Sequence, residues 1–289
     1  QAAVVPAPDP AVPGAQRLVA YLVPAAPAEE ERRAAEREQI GEWQEIYTDE
    51  YERIGTAVFT EDFAGWDSSY DGTPIPPAHM REWREHTVAR IRELRPRRIL
   101  EVGVGSGLLL GRLAPEVEEY WATDFAAPVI RKLAADLRRD PELAAKVTLR
   151  CRPAHVTDGL PAGRFDTIVV NSVVQYFPSV DHLTEVLTGL AALLAPGGAL
   201  FVGDVRNLRL AREFHTAVQL TRAGEDLDPD RLRRAVDRGL ALEKELLVDP
   251  DYFAELGRRL GLTADVRLKR GRCHNELTRY RYDVVLSAG

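Results

Sequence analysis

The segment Leu100-Glu-Val-Gly-Val-Gly-Ser-Gly107 carries an apolar run straight into three alternating glycines, Gly103, Gly105 and Gly107, and on into a helix over 108–113. Glycines at a strand-to-helix turn let the backbone take positive φ and come close to a ligand, with the first N–H groups of the helix facing it. A dinucleotide fingerprint needs Gly or Ala one position further on, where Leu108 stands, so the spacing favours an adenosyl ligand without a pyrophosphate. A tight turn with no ligand uses the same residues. Glu101 lies in the strand itself. Asp124 ends the next strand, about twenty residues beyond the glycines, where a carboxylate accepts both hydroxyls of a ribose. Standing before Phe125-Ala126-Ala127-Pro128, it also suits a helix cap.

Further polar groups fall after later strands. Pro153-Ala154-His155 follows the third strand, and Asn171-Ser172-Val-Val-Gln175-Tyr176 the fourth, both at the carboxyl edge where open α/β sheets bind ligands. Ala154 and His155 suit the two sides of an adenine, although a lone His is as readily an ordinary surface residue. Asn171, Gln175 and Tyr176 can orient an acceptor amine and the amino acid part of a cofactor without becoming charged, or simply cap their loop. The fifth strand ends in Gly203-Asp204-Val-Arg206. If the last strand runs antiparallel, its start after His274-Asn-Glu276 lies at the same edge, which makes His274 and Glu276 acid–base candidates. A polar hairpin turn uses the same residues.

Such an edge needs a parallel sheet behind it. From residue 97 short apolar runs at 98–102, 120–123, 147–151, 166–171 and 199–203 alternate with helical periodicity, which predicts five parallel strands with helices on their faces. Val129, Ile130, Leu133 and Leu137 share one helix face; Leu183, Val186, Leu187, Leu190, Leu193 and Leu194 share another, ended by Gly197-Gly198. Residues 205–262 are long for one crossover and hold at least two polar helices, so part of the segment leaves the sheet as a cap. A terminal antiparallel hairpin, 264–270 and 277–287, brings the expected sheet to seven strands. Upstream, 17–23 reads as a single strand and 28–43 as a solvated, Glu/Arg-rich helix or linker leading into Ile46, Tyr47 and Tyr51.

The chain has 289 residues and 45% hydrophobic content, enough for one main domain with appendages. At a net charge of -7, with basic residues scattered among acidic ones, it lacks the footprint of a nucleic-acid or anionic-membrane binder. Cys151 and Cys273 stand far apart with no partner spacing, which argues against disulfides or a zinc site, and no metal is expected. A reducing cytoplasm fits. No apolar run is long enough to span a membrane, and the proline-rich start lacks the regions of a signal peptide.

Longer motifs are more specific than the glycines. Asp62-Phe-Ala-Gly-Trp66-Asp-Ser-Ser-Tyr70-Asp-Gly-Thr-Pro-Ile-Pro76, Met80-Arg-Glu-Trp83, Asn171-Ser-Val-Val-Gln-Tyr-Phe177, Gly203-Asp-Val-Arg-Asn-Leu-Arg209 and His274-Asn-Glu-Leu277 together resemble the methyltransferase domains of nonribosomal peptide synthetases over about 46–285. The resemblance implies a class I Rossmann-like methyltransferase: a seven-stranded, mostly parallel sheet with an antiparallel last strand, an N-terminal helical lid over 28–96, and a core over 97–289 whose helical cap covers about 205–262. The implied cofactor is S-adenosylmethionine, left as S-adenosylhomocysteine. Trp66, Tyr70 and Met80 are implied to line it beside Glu101, Gly103, Gly105, Asp124, Phe125, Ala154, His155, Asn171 and Ser172; by physics alone Trp66 and Tyr70 suit a core equally. Residues 1–27 resemble instead the C-terminal subdomain of an adenylation domain at the point where such methyltransferases are inserted. That makes them a remnant, and no adenylation activity is expected.

That family mostly methylates nitrogen. The implied acceptor is the α-amino group of an aminoacyl thioester on the phosphopantetheine arm of a carrier protein, with the flanking adenylation domain as the second partner. Asn171, Tyr176, Asp204, His274 and Glu276 are then expected to orient the amine and take or relay its proton. Methylation of a side-chain sulfur, oxygen or carbon is the nearest rival. A module that binds cofactor or carrier without catalysis is a rival of another class, and a nicotinamide dehydrogenase is disfavoured by the glycine spacing.

Overall fold

The computed structural model describes residues 2–9, 14–22, 28–53, 60–223 and 228–288, within two compact units, Gln1–Gln39 and Ile40–Gly289. In the first unit, β1 (Ala2–Pro8) and β2 (Gln16–Leu22) form an antiparallel ribbon with Val5 opposite Val19. β2 is the strand expected near 17–23. Pro6 and Pro8 mask its partner in the sequence, yet a two-stranded ribbon consists only of edges, where proline is tolerated. α1 (Glu29–Arg53) starts with three glutamates, favourable at the positive end of a helix, and Glu29 pairs with Arg32 and Arg33 one turn on. The two units divide inside this helix.

In the second unit, α2 (Pro77–Glu93) precedes the alternating core: β3 (Arg98–Val102), α3 (Leu110–Leu113), β4 (Glu119–Asp124), α4 (Ala127–Leu137), α5 (Pro141–Lys146), β5 (Val147–Cys151), β6 (Phe165–Asn171), α6 (Val180–Ala191) and β7 (Leu194–Arg206). α7 (Ala211–Ala223), α8 (Pro229–Ala241), α9 (Pro250–Leu260), β8 (Thr263–Leu268), α10 (Glu276–Arg279) and β9 (Arg281–Ser287) follow. The sheet order is β5-β4-β3-β6-β7-β9-β8, parallel throughout except for β9. β3 and β6 are buried almost end to end because helices cover both faces. Leu183 and Leu187 of α6 with Phe253 and Leu256 of α9 pack one face; Val88 and Ile91 of α2 with Leu110 and Leu133 pack the other. Residues 77–93 therefore belong to the core as well as to any lid.

The chain winds outward from β3 through β4 to β5, then returns to lay β6 on the opposite side of β3. That reversal opens a crevice at the carboxyl ends of β3 and β6, where the glycine turn and Asn171 emerge. Three local expectations are corrected. α6 ends at Ala191, and Gly197-Gly198 lie within β7. Leu277–Tyr280 do not extend the last strand: the Asn275 side chain accepts from the Leu277 and Thr278 N–H groups while Thr278 Oγ1 accepts from the Asn275 N–H, a reciprocal cap that starts α10. Of the expected cap, α9 returns to the sheet with Phe253 fully buried, so among the described residues α7 and α8 are the helices that stand apart from it.

Candidate active site

A cavity of about 840 Å³ lies along the carboxyl edge of the sheet. Gly103 and Gly105 line it, and they and Gly107 all have positive φ (76°, 51° and 84°), open to glycine at little steric cost. Gly103 and Val104 donate their N–H groups to the Thr123 carbonyl at 2.8 and 3.0 Å. A Cβ on Gly103 would sit 2.3 Å from Val173 Cγ2, so the turn and the loop after β6 touch only because that side chain is absent. Asp124 is held by the backbone on both sides: Oδ2 accepts from Gly105 N–H at 3.0 Å and Oδ1 from Ala126 N–H at 2.9 Å. Burial raises its carboxyl pKa, opposed by these donors and the Phe125 N–H.

Glu101 accepts from the Tyr120 hydroxyl at 2.7 Å, and burial pushes its carboxyl up to about 8. Asn171 also borders the cavity, with Oδ1 buried and lacking a hydrogen-bond partner. Its position depends on Gly203, where a Cβ would lie 2.2 Å from that oxygen. Two carboxyls and an orphan carbonyl oxygen beside a glycine cradle form an acceptor-rich surface. It fits a ligand that presents hydroxyl and amino hydrogens, as the ribose and amino acid parts of an adenosyl amino acid do. Phe125, Ala154, His155, Ser172, Trp66, Tyr176 and Glu276 line the same cavity.

Four expected site residues lie elsewhere. Met80 is fully buried in a cluster with Ile75, Trp83, Leu108 and Leu277. Tyr70 is half-buried with its phenol pushed up to about 12 by burial, and its neighbour Ser69 reaches the cavity instead. His274 is exposed, because the cap at Asn275 turns Glu276 inward and leaves the preceding side chain outside. Asp204 is fully buried at a β-bulge of β7. Its carboxylate accepts from Trp83 Nε1 at 3.1 Å, Ser172 Oγ at 2.9 Å and Arg281 at 2.6 Å, with Lys269 Nζ at 3.3 Å. Burial raises the pKa of this carboxyl, but Arg281 and Lys269 outweigh burial and hold it at about 2, so Asp204 is an anchor and no proton acceptor.

Further contacts complete the walls. Trp43 and Tyr47 of α1 pack on Tyr176 with ring centroids 4.8 and 5.0 Å away, and Gln44 donates to the Phe125 carbonyl. An aromatic pair four residues apart on an otherwise charged helix is the signal for this lid. Across the cavity, Arg206 reaches Glu243 and Glu245 at 2.7 Å each and covers the Phe214 ring at 5.2 Å. Glu276 accepts from the Ser69 N–H and hydroxyl at 2.8 Å, and Arg222 of α7 donates to the Ser69 and Tyr70 carbonyls. Among the described residues no group of three or more His, Cys, Asp or Glu side chains is arranged to hold a metal, and no helix is long and apolar enough to cross a membrane.

Residues 100–200, the glycine turn through β7, match the family described as a methyltransferase domain. The fold agrees with that of a magnesium protoporphyrin IX methyltransferase from Synechocystis solved with S-adenosylhomocysteine (TM-score 0.50, 14% identity, 90% of this chain and 98% of that one). A Clostridium acetobutylicum S-adenosylmethionine-dependent methyltransferase is similar too (TM-score 0.50, 13% identity, 72% and 92%). Residues 100–200 of the chain carry a methyltransferase domain. This methyltransferase is 47% identical over 289 residues to a probable non-canonical nonribosomal peptide synthetase, CymA, of Salinispora arenicola, covering 100% of the chain and 4% of that protein. It is 45% identical over 280 residues to chondramide synthase of Chondromyces crocatus (95% and 7%), and 33% identical over 277 residues to the beauvericin nonribosomal cyclodepsipeptide synthetase of Beauveria bassiana (93% and 9%). The methyltransferase thus spans 4% to 9% of these relatives' length, as a domain embedded in a much larger polypeptide.

Proposed function

We propose that this domain moves a methyl group from S-adenosylmethionine onto the α-amino nitrogen of an amino acid held as a thioester on a carrier protein of a nonribosomal peptide synthetase. The observation that carries the reading is the pairing of charges opposite the cofactor end. Glu243 and Glu245 are engaged by Arg206, and Glu276 by Ser69. Carboxylates so engaged are poor strong bases, which a carbon acceptor demands and an amine does not. A free α-amino group titrates near roughly 7.7 to 8.0, and an electron-withdrawing thioester lowers this, so much of the nucleophile is neutral near pH 7.

When bound, S-adenosylmethionine supplies an electrophilic methyl on a sulfonium. Asp124 accepts the ribose hydroxyls, Phe125, Ala154 and His155 flank the adenine, and Glu101 with Asn171 Oδ1 receives amino hydrogens. Ser172, held by Asp204, fixes Asn171, whose Nδ2 donates to Ser172 Oγ at 3.1 Å. Tyr176 under Trp43 and Tyr47 orients the acceptor, and Glu276 holds the Trp66–Ser69 loop over it. Alignment of nitrogen, methyl and sulfur is then the main source of rate. The carrier arm and the flanking adenylation domain are the partners; residues 1–27 are the edge of that adenylation domain, and the free Cys151 and Cys273 suit a cytoplasmic setting.

Incubating the domain with S-adenosylmethionine and a carrier loaded with a panel of amino acids, followed by fragment mass spectrometry, tests this. One added methyl on the amino nitrogen is the expected result. A methyl on a side-chain sulfur, oxygen or carbon contradicts the nitrogen assignment, and cofactor binding without methyl transfer on any carrier contradicts catalysis.

A further inference from the structure

We propose that His215, on α7, is the general base that removes the proton from the acceptor amine. This deepens the nitrogen-methylation reading and rests on it. His215 borders the cavity, and its side chain is only 12% exposed. Nε2 lies 3.2 Å from Glu243 Oε2. Burial pushes the Glu243 carboxyl up, but hydrogen bonding and charge from Arg206 more than offset this, so Glu243 is ionised near neutral pH. An ionised carboxylate only accepts, which makes Nε2 the donor and leaves the lone pair on Nδ1. The arrangement is that of a base oriented by a third group.

One residue packs closely against the Nδ1 side of the ring. Gly239, on α8, faces it, and a Cβ there would lie 2.7 Å from Nδ1. Gly239 and His215 both border the cavity, and a side chain at 239 would press on the Nδ1 edge of the ring. The charged groups around the ring are Glu243, Arg206 and Glu245, joined through Arg206 in one chain. His215 Nδ1 takes a proton from the substrate ammonium, the freed nitrogen lone pair forms the bond to the methyl carbon, and the carbon–sulfur electrons return to sulfur as a thioether. An imidazole suffices as the base for an ammonium. His215 and Glu243 thus occupy the roles that the sequence reading assigns to His274 and Glu276.

The test compares wild type, His215→Gln and Gly239→Ala on an aminoacyl carrier, recording kcat against pH, the atom methylated, and S-adenosylhomocysteine affinity. Gly239→Ala keeps the imidazole and replaces a helical glycine by a better helix former, so it folds. Both variants are expected to lower kcat on the order of tenfold to a hundredfold near neutral pH, with the loss shrinking at alkaline pH, where solvent has already removed the proton. S-adenosylhomocysteine affinity stays unchanged. Wild-type kcat and pH profile in both variants, with methyl on nitrogen, overturn the base and leave the nitrogen reading intact. Methyl on any other atom in wild type overturns both.

Discussion

Ser172 and Asp204, just past β6 and near the end of β7, both hold left-handed backbone (φ 57° and 64°), and Ser172 Oγ donates to Asp204 Oδ2 at 2.9 Å. Such conformations cost on the order of 1–3 kcal/mol each and persist where surroundings over-determine them. Here the surroundings are Trp83, Arg281 and Lys269, all on Asp204. Asp204→Asn removes the countercharge 2.6 Å from Arg281, while Lys269 keeps Asp283 at 2.7 Å, and is expected to lower unfolding free energy by about 3–5 kcal/mol, read from urea denaturation.

Acid and alkali act on different buried carboxyls. Asp204 has a folded pKa of about 2 against an ordinary 3.8, so its stabilisation is present above pH 3.8 and fades as pH falls towards 2. Glu101 is shifted the other way, from 4.5 to about 8. Its contribution is complete below pH 4.5 and is lost as pH rises through 8. Glu101→Gln should therefore narrow the fall in thermal midpoint between pH 5 and pH 8; an unchanged fall counts against a neutral Glu101.

Gly103→Ala forces a Cβ into left-handed backbone (φ 76°) and against Val173. A loss of about 1–3 kcal/mol in stability is expected, with S-adenosylhomocysteine binding weakened at least tenfold by calorimetry. Unaltered binding means that the glycine turn does not contact the ligand.

Asp124 ties the glycine turn and the start of α4 through the backbone and is assigned to the ribose. Asp124→Ala should weaken S-adenosylhomocysteine by about 1.5–3 kcal/mol, the range for hydrogen bonds to a charged group. Equal affinity for the 2′,3′-dideoxy analogue in wild type contradicts that assignment.

The sheet is readable from the sequence because its strands are short, unbroken apolar runs set between helical periods, a pattern enforced by burial on both faces. The glycine turn and the strand-end residues follow directly from that. The failures have local causes. Pro6 and Pro8 conceal β1, and a cap at Asn275 converts an apparent strand at Leu277 into α10. His274, Asp204 and Met80 are placed correctly along the chain, but neither the direction of a side chain nor the burial of a carboxylate between two cations is visible in a linear motif. Tyr47, His215 and Glu243 come to the cavity on α1, α7 and the chain after α8, where no motif announces what they face.

The most direct test of the central claim uses S-adenosylmethionine with an isotopically labelled methyl group. After turnover on an aminoacyl carrier, the thioester is cleaved and the released amino acid is examined by nuclear magnetic resonance. Label bonded to the α-amino nitrogen is the predicted result. Label on a side-chain atom, with the α-amine left primary, contradicts the account.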